Sequence, residues 1–356
     1  MIALDVLGFS PFFSAQIERF ALERPGLVPA RIAADGPGIY HLLGCQAPLG
    51  ELSGRLRNEV HGVDRPAAGD WVAVTDNAER AVIHHVLRRR TAMTRRAADT
   101  EATAQVIAAN LDVVCLVTSA NRDLNPRRIE RYLTAVWESG AAPVVVLNKV
   151  DLIADVAPLI DTIASVALAV PIVQVSALTG AGIDALRAQV GRGRTVGLVG
   201  SSGVGKSSLI NRLVGHEVQH VSDIREDDAR GRHTTTRREL VLLPGGGVLV
   251  DTPGMRELGL LDDDGGGIDA AFADIAEISQ GCRFNDCLHE AEPGCSVQAA
   301  LVSGTLHPDR LRSYRKLQRE IAAAERRRDP VLAANERRRW KTIHKELRAR
   351  EKVRRG

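Results

Sequence analysis

The residues best equipped for chemistry form the run Gly200-Ser201-Ser202-Gly203-Val204-Gly205-Lys206-Ser207, with Ser208 directly after it. The run satisfies G-x-x-x-x-G-K-S, follows an apolar stretch at 194–199 and opens a helical pattern at 206–214. In that setting it is a phosphate cradle. Its glycines let the chain curl so that successive N–H groups converge on phosphate oxygens, and the helix N-terminus adds partial positive charge. Lys206 is expected to reach the β- and γ-phosphates, Ser207 to ligate Mg²⁺ through its hydroxyl, and Ser208 to donate to the α-phosphate. The implied ligands are a nucleoside polyphosphate and its Mg²⁺.

A second constellation addresses the base. Asn148-Lys149-Val150-Asp151 ends an apolar stretch at 142–147. The Asp151 carboxylate can accept from N1–H and the exocyclic amino group of guanine together. Adenine lacks both donors and would leave the carboxylate unpaired, a distinction worth about 10⁴-fold. Asn148 suits the acceptor edge of the base, and the stem of Lys149 its plane. Ser176-Ala177-Leu178 ends a further apolar stretch at 171–175 and offers backbone N–H to the base oxygen. These pieces resemble the N-K-x-D and S-A-x motifs of GTPases, so GTP and GDP are the expected ligands.

Two more segments bear on hydrolysis. Asp251-Thr252-Pro253-Gly254 resembles the D-x-x-G switch. Asp251 is expected to hold Mg²⁺ through water, and Gly254 to give its N–H to the γ-phosphate. In Gly231-Arg232-His233-Thr234-Thr235-Thr236, one threonine is expected to complete the Mg²⁺ shell. Thr235 is preferred over Thr234. Met255 follows Gly254, where Ras has the glutamine that orients the attacking water, and a thioether cannot do that work. His233 is the expected source of the missing polar group. Without a preordered water, intrinsic turnover should be slow and a partner should order the loop.

The order of these motifs is itself informative. Asn148 precedes Lys206 by 58 residues, whereas Ras-like proteins place the phosphate loop first. A site assembled in space tolerates such circular permutation, because domain termini often lie close together.

A separate cluster, Cys282-x₄-Cys287-x-His289-x₅-Cys295, supplies three thiolates and an imidazole within 14 residues. Four soft ligands leave no open coordination position, so one structural Zn²⁺ is expected. Cys45 and Cys115 stand apart and read as small buried hydrophobes.

The elements that must position these residues fall into three parts. Residues 27–93 alternate short apolar segments with turn residues, as a small OB-like barrel does. From about 105 onward, strand and helix patterns alternate, which implies βαβ units and a parallel sheet. Segments 239–243 and 248–250 flank Pro244-Gly245-Gly246-Gly247 and form a hairpin pattern. The last fifty residues read as helical. The chain is therefore expected to be multidomain, with an N-terminal β-barrel at 1–93, a circularly permuted α/β P-loop GTPase at 94–259 and a mostly α zinc-binding domain at 260–356.

Composition limits the partners. Net charge is +3, but residues 305–356 carry 18 Lys or Arg against 7 Asp or Glu. That tail, with Arg326-Arg327-Arg328 and Arg337-Arg338-Arg339, favours a polyanion such as RNA. Tyr314 and Trp340 are the only Tyr, Trp or Phe candidates there for base stacking. No apolar stretch is long enough to span a bilayer. Asp5, Glu18 and Glu23 break up the first 25 residues, so no secretory leader is expected. A monomer in the cytoplasm, with no membrane partner, is the expectation.

Together, the Gly-Arg-His-Thr-Thr-Thr loop at 231–236, the permuted GTPase motifs and the Cys₃His spacing closely resemble the RsgA family of small ribosomal subunit biogenesis GTPases. The resemblance implies barrel, GTPase and zinc domain in that order, and late action on the small ribosomal subunit and its rRNA. It also implies hydrolysis stimulated by the subunit and coupled to release, with a role for His233. A nucleotide-gated RNA-binding module with incidental hydrolysis is the rival reading.

Overall fold

A computed structural model describes residues 2–36, 38–96, 104–121, 124–215, 239–251 and 266–328, without the side chains of 95, 96, 104, 251, 266 and 323–328. The chain opens with helix α1 (Pro11–Glu23), which starts at a proline whose missing N–H costs nothing in the first turn. Five short strands follow: β1 (Val28–Asp35), β2 (Tyr40–Leu43), β3 (Leu49–Leu52), β4 (Trp71–Thr75) and β5 (Ala81–Val86), with the short helix α2 (Gly54–Glu59) between β3 and β4. They pair in the order β1-β2-β3-β5-β4, and β4 returns to pair with β1, closing a five-stranded barrel. β3 and β5 run parallel and the other barrel pairs antiparallel.

Alternation along the strands gives the barrel two apolar faces. Ala30, Ile32, Val72, Val74 and Ile83 fill its interior with Leu52 and Leu56. Trp71 and Ala73 face outward instead, against Leu7 and Phe13. The rings of Phe9 and Phe13 lie 4.8 and 5.8 Å from Trp71, so α1 serves as a cover on the barrel.

Strands β6 (Ala92–Arg96) and β7 (Ala104–Ala109) form a separate antiparallel pair, β6 running across position 93 and β7 across the change of pattern expected near 105. Beyond them come β8 (Val113–Ser119), α3 (Pro126–Glu138), β9 (Ala142–Asn148), α4 (Ala157–Ala164), β10 (Ile172–Gln174), α5 (Ile183–Val190), β11 (Thr195–Val199) and α6 (Lys206–Val214). The apolar stretches read at 142–147, 171–175 and 194–199 are strands here, with bounds shifted by at most one residue, and the helical pattern at 206–214 is α6. β10, β9, β8, β11 and β13 (Val248–Asp251) lie side by side and parallel, with β12 (Glu239–Leu242) antiparallel to β13.

Both faces of this sheet are buried, which is why its strands read as unbroken apolar runs. Val114 and Leu116 of β8 join Ile129, Leu133 and Val136 of α3. Val113, Cys115 and Val117 join Leu186 of α5 and Leu209 of α6 on the opposite face. Burial pushes the Cys115 thiol up to about 12 and the half-buried Cys45 thiol up to about 11, so neither is primed as a nucleophile.

Barrel and parallel sheet are continuous. β1 pairs antiparallel with β12 at Ala34 and Glu239. Beside this seam, Arg31 of β1 is 1 % exposed, and burial lowers its pKa to about 10, still far above neutrality. Its guanidinium donates to Gly69 O at 3.2 Å, to Leu7 O and to Thr195 Oγ1 at 2.7 Å, tying the barrel to the first residue of β11.

The C-terminal part comprises α7 (Gly266–Ala271), α8 (Ala273–Ser279), α9 (Ser296–Ser303) and α10 (Pro308–Arg328). It docks on α3. Arg310 of α10 is buried between Glu130 of α3 at 2.7 Å and Asp274 of α8 at 2.9 Å, and its guanidinium lies 4.2 Å from the Phe272 ring centre. Ser313 Oγ also donates to Glu130. Tyr314 proves to be a core residue rather than a stacking platform: it is 7 % exposed and packs edge-on against Phe272. Side chains of the Arg326–Arg328 cluster, and the whole of 329–356 with Arg337–Arg339 and Trp340, lie outside the described residues.

Removing one partner of a buried ion pair strands the other charge and costs about 3–5 kcal/mol. Glu130→Ala is therefore expected to loosen the C-terminal docking by that amount. Hydrogen exchange should then quicken at the amides of 308–322 while the barrel stays protected. Unchanged protection at 308–322 would show that apolar contacts alone hold this part in place.

Candidate nucleotide site and metal centre

Because the central strands are parallel, Ser119, Asn148, Gln174, Val199 and Asp251 all end at one edge of the sheet. Ligands bind at such carboxyl edges in open α/β sheets. Gly200 through Gly205 link β11 to α6, and Gly205 caps the helix at φ +97°. Val204 is buried, whereas Ser202, Ser207 and Ser208 face outward at the apex and on the first turn of α6. Lys206 Nζ donates to Gly200 O at 2.6 Å and Ser201 O at 2.7 Å, which holds the ammonium over the mouth of the loop.

Asn148 lies at the centre of the arrangement and is 1 % exposed. Its Nδ2 donates to Val204 O at 2.9 Å, and its Oδ1 accepts from Ala177 N at 3.0 Å. The carboxamide thereby clasps the phosphate loop on one side and the Ser176-Ala177-Leu178 loop on the other, a positioning role beyond the base contact read from the sequence. Lys149 sits at φ +62° and sends Nζ to Gly203 O at 2.7 Å, laying its stem along the loop. Val150 N donates to Val175 O at 3.3 Å and anchors the turn that carries Asp151.

Asp151 is exposed, and one of its oxygens accepts from the hydroxyl of the fully buried Ser176. Ser176 Oγ in turn accepts from Thr179 N at 3.1 Å. The carboxylate is thus aimed before any base arrives. Two cations missed by sequence reasoning also touch the site. Arg128, in the first turn of α3, donates to Ser201 Oγ. Arg212, late in α6, donates to Ala177 O at 2.9 Å and Leu178 O at 2.6 Å. No motif marks either residue, since each acts on a loop that is distant in sequence.

Asp251 ends β13 beside β11, on the same sheet edge, though its side chain is not described. His233, Thr234, Thr235 and Gly254 lie outside the described residues, as does Met255. What the described residues can do chemically is bind an anion. Lys206, Lys149, the N–H groups of the loop and the N-terminus of α6 together favour a polyphosphate. Asp151 is the carboxylate placed to accept from a base.

The four residues of the Cys/His cluster also converge. Their ligand atoms all lie within 4.8 Å of one another. His289 Nδ1 is 3.6 Å from both Cys282 Sγ and Cys295 Sγ, and the two sulfurs are 3.9 Å apart. A tetrahedral Zn²⁺ with Zn–S near 2.3 Å sets an S···S edge of about 3.8 Å, so the donor set fits that ion. Burial pushes the His289 pKa down, which keeps the ring neutral and able to ligate. Gln298 and Arg315 both donate to His289 O and fix its backbone at φ +60°. Cys295 caps α9, accepting from Gln298 N at 3.4 Å.

Three comparisons with known proteins bear on this geometry. The sequence matches the RsgA GTPase family over residues 86–261 and the 50S ribosome-binding GTPase family over 195–336. It is 46% identical to the small ribosomal subunit biogenesis GTPase RsgA of Opitutus terrae, across 99% of each chain. Among solved structures, YjeQ from Thermotoga maritima is similar at TM-score 0.62 and 26% identity, covering 83% of this chain and 99% of that one. YloQ, described as a circularly permuted GTPase, is similar in fold at TM-score 0.60 and 24% identity, covering 85% of this chain and 96% of that one.

A Cβ on Gly205 would stand 2.4 Å from Asn148 Nδ2, at a backbone φ unfavourable to any other residue. Gly205→Ala should open the clasp and weaken GDP binding at least 100-fold in a fluorescent-nucleotide titration. Binding within three-fold of the parent would mean the clasp is dispensable. For the metal centre, atomic absorption is expected to give one zinc per chain, and Cys295→Ser should abolish it. Zinc retained at full occupancy would place the ion elsewhere.

Proposed function

The chain belongs to the RsgA family of small ribosomal subunit biogenesis GTPases, and we propose that it hydrolyses GTP on the maturing small ribosomal subunit, with hydrolysis stimulated by the subunit and coupled to release. The observation that carries this reading is the convergence of Asp151, Asn148 and the 200–207 loop at one sheet edge, with the base motif earlier in the chain than the phosphate loop. The 50S description attaches to residues 195–336, a stretch that opens with the phosphate loop, while the relative matching end to end is named for the small subunit. The small subunit and its rRNA are therefore the partners proposed.

In this reading the chain has an OB-like barrel at 1–93, a permuted GTPase at 94–259 and a zinc-binding domain at 260–356. Asp151 reads guanine, with Asn148, Lys149, Val150, Ser176 and Ala177 shaping the base pocket. Residues Gly200 to Ser208 hold the phosphates, with Lys206 supplying charge at the β- and γ-phosphates. Ser207, Asp251 and Thr235 or Thr234 are the groups that would hold Mg²⁺, which neutralises charge developing on the transferred phosphoryl group. Gly254 meets the γ-phosphate, and His233 orients the attacking water. Cys282, Cys287, His289 and Cys295 would hold one structural Zn²⁺, and the basic tail binds rRNA phosphates. Among the described residues no helix is long and apolar enough to cross a membrane. A cytoplasmic monomer is the form proposed to act.

GTP and ATP hydrolysis, with and without small subunits, tests the reading. Slow turnover of GTP alone, raised strongly by subunits, is expected. Equal use of ATP would remove the role given to Asp151, and indifference to subunits would remove the partner. In the same assay His233→Ala should bind GTP yet lose subunit-stimulated turnover by 10²-fold or more, on the order of a general-base contribution. Normal turnover and release would favour the nucleotide-gated rival.

A further inference from the structure

The clasp at Asn148 holds one flank of the 176–178 loop. The other flank is held by a residue that no nucleotide motif contains. Arg212 lies two turns beyond Lys206 on the same helix, α6. From adjacent positions on its guanidinium, Nε donates to Ala177 O at 2.9 Å and NH2 donates to Leu178 O at 2.6 Å. Two parallel bonds to consecutive carbonyls use the planar fork that arginine alone possesses. Arg187 of α5 donates to Arg212 O at 2.9 Å and is itself paired with Asp184 at 2.9 Å. The end of α6 that carries Arg212 is thus pinned from a second helix.

The direction of these bonds has a chemical consequence. A trans peptide is planar, with C=O and N–H on opposite edges. Drawing Ala177 O toward α6 turns the N–H of Leu178, on the far edge of that same peptide, away from α6. On the preceding peptide, Ala177 N–H is already committed to Asn148 Oδ1. The Ser176 turn is closed by Gly180 N to Ser176 O at 2.8 Å and by Thr179 N to Ser176 Oγ at 3.1 Å. Leu178 N–H is therefore set by Arg212 on one edge and by a fixed turn on the other, beside the carboxylate of Asp151 that Ser176 aims.

Resting on the guanine reading above, we infer that Arg212 is a specificity-determining positioning residue. By gripping Ala177 O and Leu178 O it orients the Leu178 N–H toward the 6-oxo group of the bound purine. Its guanidinium acts on protein carbonyls, and so through the loop. Its ligand preference is for purines with oxygen at position 6, whether or not they carry the 2-amino group. Asp151 reads N1–H and the 2-amino group; Arg212, through Leu178, governs the opposite corner of the same edge.

Calorimetric titration of the full chain with GDP, IDP and ADP tests this. IDP keeps the 6-oxo group and lacks the 2-amino group, whereas ADP lacks both. Arg212→Ala should weaken GDP and IDP by the same factor, about ten-fold for one hydrogen bond, and leave ADP affinity within two-fold. The GDP-to-ADP ratio then falls ten-fold. Arg212→Lys, which can reach one carbonyl, should restore more than half of the lost free energy. In GTP hydrolysis KM should rise by the same factor with kcat within two-fold. Equal weakening of GDP, IDP and ADP would make Arg212 a structural prop for α6 and overturn the inference, as would an unaltered GDP-to-ADP ratio. Failure of the guanine reading itself shows differently: the unsubstituted chain would then bind GDP and ADP alike.

Discussion

A carboxamide buried to 1 % exposure at a sheet edge must find partners for both of its ends, and Asn148 finds them on two different loops. Leaving either end unsatisfied would cost about 1–3 kcal/mol, which makes the clasp a strong constraint on loop placement. It also dictates composition around it. Gly205 is needed because Asn148 Nδ2 occupies the space of a Cβ, and Gly200 because Val117 O lies 2.3 Å from where its Cβ would stand. The phosphate loop, the base turn and the 176–178 loop are consequently one rigid assembly. Permuting the chain order leaves that assembly unaltered, because the clasp acts through space.

The two flanking parts join the GTPase core by different physics. The barrel shares backbone: β1 pairs with β12, which itself pairs with β13, so the strand ending at Asp251 is one strand removed from the barrel. Arg31 strengthens that seam with a buried charge satisfied by carbonyls and a hydroxyl instead of a carboxylate. The C-terminal part shares no strand with the sheet among the described residues. It is held on α3 by the Glu130–Arg310–Asp274 group and the apolar contacts around Phe272. Opening a backbone ladder and opening a buried ion pair are both steep costs, so each flank should move with the element it is attached to.

Much of the site was legible because its chemistry is local. G-x-x-x-x-G-K-S, N-K-x-D and the Cys₃His spacing each place their donors within a few residues, and a loop at a strand end needs little else to be recognised. The barrel was legible from short apolar segments separated by turn residues over 27–93. Tyr314 misled for a related reason: a tyrosine on a basic helix reads as exposed until its neighbour Phe272, far back in the chain, is known to cover it. Residues 9–23 gave no motif, because α1 acquires its purpose only from Trp71 beneath it.

By itself, then, the sequence determined which chemistry to expect: donors for a polyphosphate, a carboxylate for a guanine and a Cys₃His set able to hold a metal, each encoded in residue types at short spacing. The tertiary structure alone decided how these are held together. Asn148 meets Val204 across 56 residues, Arg31 meets Thr195 across 164 and Arg310 meets Glu130 across 180. Nothing in local periodicity specifies such partners. They arise only when packing a two-faced sheet has brought distant strand ends and helix faces within hydrogen-bond reach, and that packing depends on the whole set of apolar contacts at once.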